Sequence, residues 1–239
     1  MSVDIAPHSE GPIPFMQQNV THQILNDSCN IYNSLLPETS LSIDQKDEEH
    51  AAQLIDIIRK GGAWDKITVL VLHCHKQLRP NHSWVGSIKR TDESDVYLTK
   101  HVANEEIALD MTSGHKFQYI KGKGFCAFTF VQGEPPVDFS GMNEEVFPRL
   151  EEYLTAKGLT SRFGFGVRIP KLASHRWTEY QLPDGMVLVK TQWVSADDQA
   201  TTVITEWWCD TEETFGVGVN CQSSPTGQGH IKPPPKEAS

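Results

Sequence analysis

The feature that most constrains the fold is a change of hydrophobic period at Gly61-Gly62. Before it, apolar residues recur at helical spacing. After it, from Lys66 to Gln132, they alternate in short runs with no helical stretch between them. Runs near 66–75, 83–89, 95–102, 106–111, 115–121 and 124–132 read as strands, with Gly122-Lys123-Gly124 as a tight hairpin between the last two. Strands this close in sequence leave no room for crossover helices, so they pair as an antiparallel sheet or close into a barrel. Strand runs resume at 163–169, 186–195 and 199–209, the last two joined by a turn at Ala196-Asp197-Asp198-Gln199, and TFGVGVN makes a short final strand. The expected class is α+β: an antiparallel β-sheet or barrel-like core with two or three flanking helices.

The helices are readable from their stripes and ends. THQILNDSCNIYNSLL carries an apolar stripe closed by Pro37. Lys46 to Lys60 is the clearest helix: Ala51, Leu54, Ile55 and Ile58 form one face, acidic residues fill the first turn, Arg59 and Lys60 the last, and Gly61-Gly62 stops it. A third spans about 143–157, with Val146, Leu150 and Leu154 inward, Pro148 in its first turn and Gly158 as its stop. The expected organisation is a flexible N-terminus over 1–20, one domain over 21–222 and a Pro/Gly/Ser-rich disordered tail over 223–239.

Composition removes several function classes. Twenty-one basic residues stand against 31 acidic ones, for a net charge of −10, and no Lys/Arg cluster stands out, so a nucleic-acid or anionic-membrane partner is disfavoured. MSVDIAPHSEGPIPF has neither the basic nor the apolar region of a signal peptide, and no apolar run has the ~18 residues of a membrane helix. The five cysteines are scattered, as expected of reduced thiols in the cytoplasm. There is no CxxC, GxGxxG, Walker loop, GxSxG or HExxH, and FGFGVRIP reads as a strand, not a phosphate cradle.

The chemistry points to VLVLHCHKQ. Alternate strand residues share a face, so His73 and His75 lie together on the side of Ile67, Val69 and Val71, with Cys74 opposite as a small buried hydrophobe. Two imidazoles about 7 Å apart along the backbone can close on one ion, with a third ligand from a neighbouring strand and an open position for water or substrate. Five of the ten histidines fall between positions 73 and 115. His115, opening HKFQYIK beside a Gly turn, is the preferred third ligand; His101 and His82 stay open as alternatives. H-x-H also occurs by chance, and a histidine at a strand end is often a hydrogen-bonded surface residue. Glu206 in TTVITEWWC shares a face with Ile204 and Trp208 and is the candidate general base. Tyr119, four residues after His115, is the candidate donor to a substrate oxygen.

The stretch HCHKQLRPNHSWVGSIK resembles known metal strands in two ways. Its H-x-H is similar to the metal strand of carbonic anhydrases. It is also similar to the first motif of cupins, except that Arg79 and Pro80 stand where cupins carry a Glu. The chain as a whole resembles the small fungal hemocyanin-like zinc proteins of quinolone-alkaloid clusters, the cyclopenase (viridicatin synthase) type. That resemblance implies zinc and a ring contraction of a benzodiazepinedione epoxide to a viridicatin-type quinolone. The His-x-x-x-His of binuclear copper hemocyanins is absent.

The expected function is therefore a zinc-dependent lyase acting on a small aromatic or carbonyl-bearing molecule, with iron as the alternative metal. Its partner is a small-molecule substrate, with no nucleic acid and no membrane, and a homo-oligomer is left open. The rival expectation is a metal-free barrel-like binding protein or isomerase for an apolar small molecule, with Trp84, Trp177, Trp193, Trp207 and Trp208 lining its cavity.

Overall fold

The computed structural model describes residues 16, 20–90, 95–169, 177–182, 185–190, 202–209 and 215–222. The N-terminal stretch 1–15, the Ala196–Gln199 turn, Trp193 and the tail 223–239 lie outside the described residues. Among the described residues, three α-helices, α1 (His22–Asn33), α2 (Gln45–Lys60) and α3 (Val146–Lys157), accompany ten strands. In chain order these are β1 (Ile67–Val71), β2 (His82–Arg90), β3 (Asp95–Ala103), β4 (Thr112–Ile120), β5 (Gly124–Gln132), β6 (Phe163–Val167), β7 (Trp177–Leu182), β8 (Gly185–Lys190), β9 (Thr202–Cys209) and β10 (Phe215–Gln222). They close into a barrel in the order β1-β6-β4-β5-β2-β3-β8-β7-β10-β9, with β9 pairing back onto β1. The α+β class with a barrel core is as expected.

Several details depart from the sequence reading. β7 (Trp177–Leu182) is a strand that the reading does not contain. The pairs β2–β5 and β7–β10 are parallel, which neighbour-to-neighbour hairpins do not produce. The run 106–111 is not a strand: it holds two 3-10 turns, Asn104–Glu106 and Leu109–Met111, because its residues bridge β3 and β4 outside the ladder.

The helices coat the barrel on one side. α2 and α3 lay Leu54, Ile55, Ile58, Leu150 and Leu154 against the outward residues of β1, β6 and β9 (Val69, Val71, Phe165 and Trp207), forming the main core. α1 covers β2 and β5 through Leu25, Val85 and Phe130. Three helix ends are set by clear capping residues. Thr21 Oγ1 accepts from the Ile24 N–H, Asp44 and Asp47 form a reciprocal capping box, and Gly158 ends α3 at φ 67°.

Asp47 also ties α2 to the β6 approach. Arg162 donates to it from Nε (2.9 Å) and from its terminal NH2 (2.5 Å). Burial pushes the Asp47 carboxyl up, but the Arg162 bonds and the Asp44 N–H outweigh it and hold the group below the usual carboxylate range. A depressed folded-state pKa contributes stability above the unfolded value, and that contribution is lost as pH falls through the folded value. Asp47→Asn is accordingly expected to cost about 1 kcal/mol at neutral pH. The gap between wild type and variant in urea melts should close as pH drops below about 4; a gap independent of pH would contradict this.

Candidate metal centre

β1 ends at Val71, and from Leu72 onward the chain leaves the barrel wall. Leu72 N–H donates to Arg162 O, Cys74 N–H to Leu36 O, and Glu38 N–H back to Cys74 O. Asn33, at the end of α1, clamps Leu78 through both its backbone groups. The segment 72–78 is thus stitched to α1 and the turn after it, and Tyr32, Leu35, Cys74 and Leu78 pack there with inward-facing Leu70, Trp84 and Phe128.

This overturns one expectation about faces. Val69 and Val71 pack in the helix-side core, while Leu70, His73 and His75 line the lumen, whose cavity Val71 also borders. Strand alternation stops at Val71, so it cannot carry His73 and His75 to the side of the valines. Their shared position comes from the loop. Cys74 is buried, as expected of a small hydrophobe, its thiol donating to Leu35 O.

The two rings meet edge to face, with centroids 4.7 Å apart. The His73 Nδ1 lies 2.8 Å from Val71 O, and the His75 Nδ1 3.0 Å from Glu38 Oε2. Both acceptors hold the Nδ1 proton and present Nε2, which is how metal-ligating histidines are oriented. Facing His75 Nε2 at 3.2 Å is Glu179 Oε2, from β7. His73, His75 and Glu179 can bring one ligand atom each within 4.8 Å of one another. The His75–Glu179 separation matches the roughly 3.3 Å spacing of two ligand atoms around one tetrahedral zinc ion. The donor set, two imidazoles and one carboxylate, suits zinc and also ferrous iron.

Electrostatics agree with such a site. Burial lowers His75, but the charges of Glu179 and Glu38 outweigh it and hold the ring up at about 9. Without a cation it is an imidazolium shared by two carboxylates. A dication in place of the Nε2 proton keeps the same partners and cancels the negative charge left over. His73 is driven down to about 3, first by burial and then by the charge on His75, so it is a neutral donor. The His75 side chain is only 9% exposed, Glu38 7% and Glu179 9%. Removing the Glu38 carboxylate (Glu38→Gln) is expected to weaken metal binding by about 10–100-fold, read by competition with a chromogenic chelator. An unchanged affinity would mean that Glu38 does not orient the ring.

The rest of the lumen is built by register shifts in two ladders, β4–β5 and β9–β10. On β4, Gly114 pairs with Phe130 and Lys116 with Thr129, leaving His115 between them without a cross-strand partner. His115 and Lys116 therefore both face inward, and the alternation beyond them is reversed. On β9, Glu206 pairs with Val219 and Ile204 with Asn220, so Thr205 is the extra residue and Thr205 and Glu206 both face inward.

These bulges decide the remaining expectations. His115 lines the metal cavity, but its Nδ1 is 3.0 Å from Tyr97 Oη, and it stands outside the ligand trio. Burial and Lys116 push it down to about 3. Tyr119 does not reach the site. Placed outward by the bulge, its ring joins the helix-side core and its hydroxyl donates to Glu151 of α3 at 2.5 Å. Glu206 does face the lumen, but not beside Ile204, which sits on the helix side. His101 meets Trp84 edge to face, and His82 sits at the start of β2 with its Nδ1 3.0 Å from Pro80 O. Of the tryptophans, Trp84, Trp177 and Trp208 line the lumen, whereas Trp207 lies under the helices.

Two small cavities result, about 50 Å³ at the metal centre and about 40 Å³ behind it, sharing His115, Lys116 and Leu188 as a wall. In the second, Thr68 donates to Glu206 Oε1 at 2.6 Å and Lys116 Nζ lies 4.0 Å from Oε2. Burial raises the Glu206 pKa against the pull of Lys116 and Thr68. Sequence reasoning alone misses Glu179, Glu38 and Lys116. Glu179 stands in WTEYQL, where Thr178 and Gln181 are polar as well, so no local signal marks it. Among the described residues, no helix is long and apolar enough to cross a membrane. No protein-family model, no curated protein and no solved structure matches this chain.

Proposed function

We propose that the chain is a metal-dependent enzyme that acts as a lyase on a small aromatic or carbonyl-bearing molecule, with zinc as its ion and iron as the alternative. The observation that carries this reading is that His73, His75 and Glu179 each bring one ligand atom within 4.8 Å of the others on one buried cavity, with His75 held through Nδ1 by Glu38 and its Nε2 turned to Glu179. A bound dication supplies Lewis-acid polarisation of a carbonyl or epoxide oxygen. The protein's part is to hold and exclude. Trp84, Phe128 and Leu70 keep water from the cavity, which strengthens every charge interaction inside it. Glu206 is the acid/base group. Burial raises its pKa, Thr68 fixes one oxygen, and Lys116, which faces both cavities, stands 4.0 Å from the other.

The cyclopenase-type ring contraction in fungal quinolone-alkaloid biosynthesis is the specific form of this proposal. A cavity of about 50 Å³ takes the reacting carbonyl of such a substrate but not its ring system. Binding would have to displace the Met186 and Leu188 side of the wall.

The test is calorimetric titration of Zn2+ into chelator-stripped protein. One site per chain is expected, with a Kd below about 1 μM, weakened by about 100-fold or more in His73→Ala with an unchanged circular dichroism spectrum. Full affinity in His73→Ala would refute the site.

A further inference from the structure

A far larger cavity, of about 460 Å³, lies at the other end of the barrel, where β1 and β4 begin and β5 and β6 end. That volume is in the range of small-molecule sites. Met16, Val131, Val137, Phe139, Val167 and Ile169 supply its apolar wall. It abuts the second lumen cavity across Val167, Arg168 and Ile169, and shares no lining residue with the metal cavity.

The wall opposite the barrel is the segment 133–142, and it is fixed in place. Gly133, at φ 80°, donates its N–H to Met111 O. Lys66 Nζ donates to Ser140 O at 2.9 Å, and Asp138 accepts from both the Ser140 N–H and its hydroxyl. Phe139 packs edge-on against Phe147 of α3, and Asn143 N–H reaches Gly61 O. A segment held at this many points does not collapse onto the barrel, so the space beneath it is built in. Close-packed proteins do not otherwise retain apolar space of this size.

The charges on the lining select the occupant. Carboxylates of Asp65, Glu134 and Asp138 stand against Lys66 and Arg168, and Arg168 is engaged with Cys209 O and the Trp208 ring. An organic anion gains nothing there. A neutral ring-bearing molecule buries its faces on the aliphatic wall and leaves a polar substituent at Ser113.

We propose that this end cavity binds a neutral apolar molecule of one to three rings, at a site separate from the metal centre. The proposal does not depend on the metal reading. Among the described residues, no tryptophan lines this cavity.

The experiment is a fluorescence titration with the neutral probe N-phenyl-1-naphthylamine. It uses wild type, Val137→Trp and Ser113→Phe, the latter two filling the cavity from opposite walls, and His73→Ala. Wild type is expected to bind about one probe per chain with a blue-shifted, enhanced emission. Either filling variant that retains the wild-type circular dichroism should bind about ten-fold more weakly or worse. Chelator and His73→Ala should leave binding unchanged. No probe binding in wild type, or full binding in a folded filling variant, overturns the proposal. Loss of binding in His73→Ala also overturns it, since the probe would then sit in the metal cavity. Metal content measured on the same samples reports the metal reading separately.

Discussion

Replacing Glu179 by Gln is expected to lower the zinc affinity of the chain by about 100-fold or more, while His115→Ala changes it only a few-fold. Glu179 supplies the one anionic oxygen that faces His75 Nε2 at 3.2 Å. Gln keeps the size of the side chain and the amide oxygen but removes the charge, so the loss reads charge donation to the ion. The same change takes away half of the carboxylate pair that stabilises charged His75. Its effect on affinity must therefore be compared at a pH above about 9, where the ring is neutral in either protein. His115 is the control that discriminates, because the sequence nominates it and the structure assigns it to Tyr97 instead. Equal losses in both variants would return His115 to the ligand set.

The second large effect is on stability. Phe165→Ala is expected to cost about 3–5 kcal/mol, read as a lower denaturant midpoint in the presence of chelator. Phe165 is fully buried, lies opposite Val69 of β1 and Phe117 of β4, and meets Phe125 edge-on at 5.6 Å. It is where the barrel wall and the α2–α3 layer share one core. Gly164 and Gly166 on either side face the lumen, where an added Cβ would come within 2.5 Å of Phe117 O and Thr68 Oγ1. The cavity left by Phe165→Ala thus opens on the helix side only, with no inward neighbour able to fill it. A loss below about 1 kcal/mol would mean that the helices relax onto the strand and that barrel and helices do not share one core.

These two positions separate what is legible in the chain from what is not. The alternation in β6 marks FGFGV as a strand, and the stripes and caps of α2 and α3 mark the helices, because those signals are local. The pair His73–His75 is also legible, since two imidazoles come directly after a buried strand. Its third ligand is not. Glu179 lies more than one hundred residues further on, and only barrel closure brings β7 to the mouth beside segment 72–78. Tyr119 and Ile204 are misplaced by the sequence reading for another reason. Period-two reasoning assumes an unbroken ladder, and single extra residues, His115 on β4 and Thr205 on β9, reverse it. The same bulges put Lys116 and Glu206 into one lumen. Nothing in either segment announces a bulge, whose position is set by how the strands twist to close the barrel.

The metal centre is tested most directly by elemental analysis of purified protein, using inductively coupled plasma mass spectrometry after growth with zinc and iron supplied and dialysis against a weak chelator. About one zinc or iron per wild-type chain is expected, and less than about a tenth of that in Glu179→Gln. A metal-free wild-type protein from the same preparation would contradict the metal centre, leaving His75 as an imidazolium held between Glu38 and Glu179.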